Sequence, residues 1–269
     1  MTAASGEAIT KARLDGRAAL VGYLPAGFPS YDGCLAAMKA LVDGGVDVIE
    51  VGLPYSDPVL DGPTIQAATE RALRGGLRIT DVIRTVQAVA GMGVATVVMS
   101  YWNPVLAYGV ERFAADLAGA GGCGLITPDL IPDEAGEWLA ASDTNDLERI
   151  FLVAPSSSPE RISSTTAACR GWVYAASTMG VTGARSATST AAPALVERVR
   201  ERSSLPVGVG LGVSTGEQAA EVASYADGVI VGSALVRCLL DADSEAEGAA
   251  AVGRLTAELA AGVRTNRST

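Results

Sequence analysis

The sequence predicts a single (β/α)8 barrel of the TIM type, on three observations. Short apolar, β-branched runs alternate with helix-period segments along the chain, and eight such pairs can be counted. The runs show little in–out alternation, as expected of parallel strands buried on both faces. The 269 residues suit one closed barrel, a fold that takes about 250. No linker, low-complexity block or composition break divides the chain. It therefore reads as one domain, 1–269, with 1–16 forming a tail and a helix that caps the bottom. A doubly wound open sheet is the alternative, but no GxGxxG follows the first strand.

The elements follow in order. Ala8–Leu14 reads as the capping helix. The first strand, Ala18–Leu24, stops at Pro25-Ala26-Gly27-Phe28-Pro29, whose Pro and Gly content marks a loop. Tyr31–Val42 places Leu35, Met38, Leu41 and Val42 at helical spacing and ends at Asp43-Gly44-Gly45. The second strand runs through Val46, Val48, Ile49 and Val51 to Gly52, and a loop shaped by Pro54, Pro58, Gly62 and Pro63 follows. Ile65–Leu73 and Ile79–Val89 read as helices, Ala95–Tyr101 as the third strand and Val110–Leu117 as its helix. Four further strands each precede a helix: Gly124–Thr127 before Glu134–Ala141, Arg149–Val153 before Glu160–Ala168, Trp172–Ala176 before Ala194–Arg202, and Pro206–Val209 before Glu217–Tyr225. Gly228–Val231 and Ala234–Leu240 make the eighth pair, and Leu255–Val263 closes the chain.

Composition removes several classes of function. The net charge is −10 and no basic run occurs, which argues against nucleic acid or an anionic membrane surface as a partner. Cys34, Cys123, Cys169 and Cys238 form no CxxC pair, as in a reduced, cytoplasmic protein without a zinc site. No apolar run reaches membrane-spanning length, and the first ten residues lack the blocks of a signal peptide. There is no histidine, and the only lysines are Lys11 and Lys39, neither on an expected strand. A Schiff-base aldolase and a zinc-dependent aldolase are both disfavoured. Acid–base work falls to carboxylates, tyrosines or water. If a carbon–carbon bond is broken, the substrate must supply its own electron sink.

The chemistry concentrates between Asp47 and Gln66. Glu50 interrupts a buried apolar strand, where a carboxylate costs several kcal/mol unless paired, hydrogen-bonded or protonated. An ion pair with an arginine is one explanation; a raised pKa and proton exchange near pH 7 is the other. Asp57 and Asp61 sit on the loop after that strand. Asp61 can accept a hydrogen bond as an anion, or serve only the Asp61-Gly62 turn. Asp57 can stabilise the loop or touch a partner. Because barrel active sites lie at the C-terminal ends of the strands, Tyr101, Asn103, Asp129 and Tyr174 are expected on the same face, although Tyr174 can also be core packing. Three glycine-rich turns follow the last strands: Gly180-Val181-Thr182-Gly183, Gly208-Val209-Gly210-Leu211-Gly212 and Gly232-Ser233. They suit a phosphate held by backbone N–H groups and a helix N-terminus, or merely tight turns. The stretch 177–192 has the small, polar composition of a mobile lid.

The segment Glu50-Val51-Gly52-Leu53-Pro54-Tyr55-Ser56-Asp57-Pro58, continued by Asp61-Gly62-Pro63-Thr64-Ile65-Gln66, closely resembles the signature of tryptophan synthase alpha subunits. Pro25-Ala26-Gly27-Phe28-Pro29, Tyr101-Trp102-Asn103-Pro104, Asp129-Leu130-Ile131-Pro132, Gly180-Val181-Thr182-Gly183 and Gly210-Leu211-Gly212 extend the likeness over most of the chain. The resemblance implies a lyase that cleaves indole-3-glycerol phosphate to indole and glyceraldehyde 3-phosphate. It implies Glu50 as proton shuttle and Asp61 as the acid that holds the indole N–H. Tyr174, Gly183, Gly212, Gly232 and Ser233 would contact substrate or its phosphate, and Thr182 would close onto the Asp61 loop. Met99, Ile126 and Tyr101 would line the indole pocket. It also implies an αββα complex with a beta subunit contacted through Pro54, Asp57, Asn103, Pro104 and the segment after Asp129. The pyridoxal phosphate would belong to that partner, leaving this chain without a cofactor. Leu60, Met179 within Ser177-Thr178-Met179, and Leu211 depart from the usual pattern. Another phosphate-binding barrel enzyme of tryptophan biosynthesis is the alternative, and a non-catalytic activating subunit is a third.

Overall fold

Eight parallel strands close into one barrel in sequence order, with the eighth pairing back to the first. The computed structural model describes residues 4–176, 191–210 and 212–264. The strands are β1 (Ala19–Pro25), β2 (Val48–Gly52), β3 (Ala95–Met99), β4 (Gly124–Thr127), β5 (Glu148–Val153), β6 (Val173–Ala176), β7 (Val207–Gly210) and β8 (Gly228–Val231). The first helices are α1 (Ser5–Leu14), α2 (Tyr31–Gly44), α3 (Pro63–Arg74), α4 (Ile79–Ala90), α5 (Trp102–Tyr108) and α6 (Val110–Gly119). They are followed by α7 (Gly136–Thr144), α8 (Pro159–Ala168), α9 (Ala191–Arg200), α10 (Gly216–Ala223), α11 (Ser233–Leu240) and α12 (Glu245–Arg264).

All eight expected strands are present, and the closed barrel replaces the open-sheet alternative. Two helices differ from expectation. α5 was hidden because Pro104 falls inside it; a proline is tolerated there because first-turn N–H groups have no intrahelical partner. α12 begins earlier than Leu255 because Gly248 interrupts the apolar period. A Cβ at Gly248 would lie 3.0 Å from Leu239 Cδ2, so this glycine permits close packing against α11.

The missing alternation in the strands has a direct cause. One set of side chains fills the barrel: Ala19, Val21, Val48, Ala95, Val97, Ile126, Ile150, Trp172 and Ile230. The alternate set, including Leu20, Ile49, Val51, Val98, Leu125 and Phe151, packs outward under the helices. Both faces are apolar because both are buried.

The bottom of the barrel is plugged by α1, whose Ile9 and Ala12 join the inner core. Glu148, at the start of β5, holds the plug. Its carboxylate is 7% exposed and accepts the N–H groups of Ser5 (3.1 Å) and Gly6 (2.9 Å). It also accepts the Ser5 hydroxyl, which in turn accepts Trp172 Nε1–H at 2.9 Å. A distant carboxylate thus caps the first turn of α1. Replacing Glu148 by Ala strands these buried donors. We expect a loss of about 2–4 kcal/mol in unfolding free energy, read as a lower urea midpoint. Lys39→Ala, which removes an exposed pair, should change stability by less than about 1 kcal/mol.

Candidate active site

Strand geometry sends Glu50 into the barrel. Val48 points inward and Ile49 outward, so alternation returns Glu50 to the interior, near the C-terminal mouth. The residue is 1% exposed. Its Oε2 has no hydrogen-bond partner among the described residues, and no arginine forms a salt bridge with it there. The ion-pair explanation therefore fails for the described residues. Desolvation alone pushes the carboxyl up to about 8. On the neighbouring rung, Gly52, Met99 and Ile126 stand in register across β2, β3 and β4. Ile126 is buried and Met99 partly buried, which gives Glu50 an apolar flank.

The loop after β2 is tied to the start of α5. Tyr101 Oη donates to Asp61 Oδ1 at 3.2 Å and accepts the Leu60 N–H at 2.9 Å. Leu60 thus fixes the loop through its backbone. Burial raises the Asp61 carboxyl above its ordinary value, and the Tyr101 hydrogen bond opposes that rise. Tyr55 packs against Tyr101 with ring centroids 5.5 Å apart. Asn103 Nδ2 donates to Tyr55 Oη at 3.1 Å. The exposed Asp129 carboxylate accepts the Trp102 N–H at 2.9 Å, capping α5. Asp57, also exposed, accepts its neighbour Ser56 Oγ at 2.5 Å. Pro54 and Pro104 are buried: they shape their loops and leave Asp57, Asn103 and Asp129 as the exposed members of that set.

The opposite wall needs room for bulky rings. Tyr174 stacks on Trp172 with centroids 5.9 Å apart. A Cβ at Gly208 would lie 2.7 Å from Trp172 Cζ3, and one at Gly210 would lie 3.0 Å from Tyr174 Cζ. Gly208 and Gly210 are therefore strand residues that yield space to these rings, a correction to their reading as turn glycines. Gly212 differs: its φ of 71° is the left-handed conformation that glycine adopts without strain. Gly232 precedes α11 and Ser233 opens it, so the helix presents its N-terminus at the end of β8. Arg237 of the same helix donates to Thr64 Oγ1 at 2.7 Å, linking α11 to the start of α3. Thr182, Gly183, Met179, Leu211 and the rest of the expected lid at 177–190 lie outside the described residues.

One residue at this mouth was not anticipated. Tyr23 is in register with Glu50 on β1 and half-buried. A Cβ at Gly52 would sit 2.6 Å from Tyr23 Cε2, and one at Gly232 would sit 3.2 Å from Cδ1. Its phenol is pushed well up by burial and then by the charges of Asp61, Glu50, Tyr101 and Tyr174. Both candidate acids thus act on one hydroxyl. Within an apolar strand an isolated tyrosine reads as core, and only the barrel's inward register distinguishes it.

Comparison with known proteins decides the family. The family model described as tryptophan synthase alpha chain matches residues 9–264. The chain belongs to the tryptophan synthase alpha chain family. A tryptophan synthase alpha chain from Acidothermus cellulolyticus is 64% identical over 261 residues, covering 97% of both chains. Among solved structures, tryptophan synthase from Mycobacterium tuberculosis superposes with TM-score 0.92 at 60% identity, covering 99% of this chain and 100% of that one. The tryptophan synthase alpha chain of Legionella pneumophila superposes with TM-score 0.87 at 32% identity, covering 98% of each chain.

As a member of that family it is a carbon–carbon lyase of tryptophan biosynthesis, cleaving indole-3-glycerol phosphate to indole and glyceraldehyde 3-phosphate. The site described above contains a buried acid, a second acid on a tyrosine-braced loop, and a helix N-terminus across the mouth. Among the described residues no group of three or more His, Cys, Asp or Glu side chains is placed to hold a metal ion, and no helix is long and apolar enough to cross a membrane.

The Glu50 environment costs stability in a pH-dependent way. Its folded pKa is about 8, against about 4.5 in a solvated chain. The folded state therefore holds the proton more tightly, and stability falls as pH rises from 4.5 through 8. Glu50→Gln removes that slope. We expect its stability relative to wild type to improve by about 3–5 kcal/mol between those limits and to level off above them. Urea midpoints across the range measure this; parallel wild-type and variant profiles would contradict the raised carboxyl.

Proposed function

We propose that Glu50 and Asp61 divide the acid–base work of the lyase reaction. Protonated Glu50 donates to C3 of the indole ring, placing positive charge on the heterocycle. The Asp61 carboxylate accepts the indole N–H and stabilises that cation. Glu50, now ionised, takes the proton from the glycerol hydroxyl adjacent to the ring. The bond between C3 and the glycerol carbon breaks, its electron pair returns to the ring, and the aldehyde of glyceraldehyde 3-phosphate forms. The observation that carries this reading is the buried Glu50 carboxyl, whose Oε2 has no partner among the described residues and whose pKa is pushed up to about 8, which keeps a transferable proton near neutral pH. Met99, Ile126 and Tyr101 flank the indole and Tyr174 adjoins the glycerol. Gly212, Gly232, Ser233 and, from the undescribed segment, Thr182 and Gly183 receive the phosphate end. The chemistry draws on no cofactor in this chain, because the protonated indole is the electron sink. The protein acts as one barrel domain in the cytoplasm.

Purified protein should release indole from indole-3-glycerol phosphate. Glu50→Gln should lower kcat/KM by about 10²–10⁴-fold, and Asp61→Asn by about 10²–10³-fold. A wild-type rate in Glu50→Gln removes the shuttle.

The chain works with a tryptophan synthase beta subunit in an αββα assembly, and the indole passes to that subunit, whose pyridoxal phosphate does the next step. The surface supports this pairing. Val59, Leu106 and Ile131 are 70%, 48% and 41% exposed; Val59 and Ile131 lie on the loops after β2 and β4 and Leu106 on α5 after β3, the same segments that carry Asp57, Asp129 and Asn103. Large apolar side chains left together at the barrel mouth suit a protein interface. Leu106→Asp should cut stimulation by a beta subunit at least about tenfold while the slow rate of the isolated chain persists. Equal stimulation of variant and wild type would place the interface elsewhere.

A further inference from the structure

Tyr23 lies at the mouth between β2 and the start of α11. Its ring leans on Gly232, at the helix N-terminus assigned to phosphate, and its tip lies over Gly52, two residues beyond Glu50. A Cβ at Gly52 would enter the space the tyrosine fills, and one at Gly232 would crowd its ring. Below it, Ala19 and Val21 of the same strand belong to the apolar inner core. Tyr23 is therefore where β1 turns from core to site. The substrate has three parts in a line: the indole, a chain bearing two hydroxyls, and the phosphate. With the indole at Glu50 and Asp61 and the phosphate at Gly232 and Ser233, the hydroxyl-bearing chain must cross the intervening span.

We propose that the Tyr23 hydroxyl hydrogen-bonds the glycerol hydroxyls of the substrate, making Tyr23 a substrate-binding residue that selects for the diol. The inference rests on the placement of the two acids and the phosphate seat given above. Its chemistry suits the location. A phenol can donate to one oxygen and accept from another. Burial, and then the acids Asp61 and Glu50, disfavour its ionisation, so it remains a neutral donor. It adds no charge where Glu50 must exchange its proton.

The test compares two ligands on Tyr23→Phe, which keeps the ring and removes one oxygen. One ligand is indole-3-glycerol phosphate; the other is indole-3-propanol phosphate, which has the same ends but lacks both hydroxyls. The variant should raise KM for the diol by about 3–10-fold, while the inhibition constant of the deoxy analogue stays within about twofold of wild type. Equal weakening of both ligands, weakening of the deoxy analogue alone, or no weakening of either overturns the assignment. Ser233→Asp keeps the two layers of inference apart. A like charge at the phosphate seat should weaken both ligands in parallel by more than about tenfold. Insensitivity of both to Ser233→Asp overturns the phosphate seat, whatever Tyr23→Phe shows. Circular dichroism and urea midpoints matching wild type exclude misfolding as the cause.

Discussion

A carboxyl group held out of water, whose Oε2 finds no hydrogen-bond partner among the described residues, is the constraint on which the top of this barrel depends. Solvated, Glu50 would be an anion at neutral pH and a poor acid. Paired with an arginine, its pKa would fall further and still less of the proton-bearing form would remain at neutral pH. Alternation on β2 places it inward, β3 and β4 supply Met99 and Ile126 beside it, and no cation among the described residues approaches. Each element removes water or withholds a counter-charge. The resulting pKa near 8 follows from what the environment lacks. Asp61 is treated differently: burial raises it as well, but a tyrosine hydroxyl donates to it and favours its anion. Two chemically similar groups at one mouth thereby acquire different proton affinities, which suits acid–base chemistry in a chain with no histidine.

The second constraint is volume. A barrel of eight strands has little room inside, and bulky inward rings fit only where the adjacent strand contributes no side chain. Trp172, just before β6, and Tyr174 on it meet Gly208 and Gly210 on β7; Tyr23 on β1 meets Gly52 on β2 and Gly232 beyond β8. Three rings and four glycines thus set the shape of the upper interior. Ser233 and the N-terminus of α11 border it, and the Arg237–Thr64 hydrogen bond fixes that helix to the element that carries the Asp61 loop. Packing and binding geometry are one property here, because the glycine that admits a ring also exposes the backbone at the mouth.

The sequence revealed the barrel readily because double-sided burial leaves the same mark on every strand. Eight apolar runs such as Val48–Val51, separated by helix-period segments, admit few other folds. Glu50 stood out because a charge in such a run is anomalous, and Asp61 because it lies on the loop at that strand's end. Other residues gave no such mark. Tyr23 is compatible with an apolar strand, and its polar tip becomes meaningful only when Glu50 is its neighbour across the sheet. Gly208 and Gly210 had the composition of a turn, since sequence does not show which glycines face a tryptophan or tyrosine on another strand. α5 was concealed by Pro104 and by a length of two turns, too short for a period to emerge. Glu148 fell one residue before its expected strand, and its role requires contact with Ser5, far away in sequence.

The two fully inward glutamates show how one barrel uses the same side chain for opposite ends. Glu148 at the bottom is buried and answered: two backbone N–H groups and a hydroxyl surround its oxygens, and a helix is anchored in return. Glu50 at the top is buried, and its Oε2 goes unanswered among the described residues. Burial raises both carboxyls above their ordinary value, but at Glu148 the hydrogen bonds from Ser5 and Gly6 pull against it, whereas at Glu50 desolvation acts alone. The difference arises from direction in a parallel barrel. The N-terminal ends of the strands can be closed permanently by α1, which brings donors that never need to leave. The C-terminal ends must admit a ligand, so a donor built there would occupy the substrate's place. An acid at the open end can therefore be left without a partner only if the rest of the fold supplies the stability it withholds, and the Glu148 plug at the closed end supplies part of it.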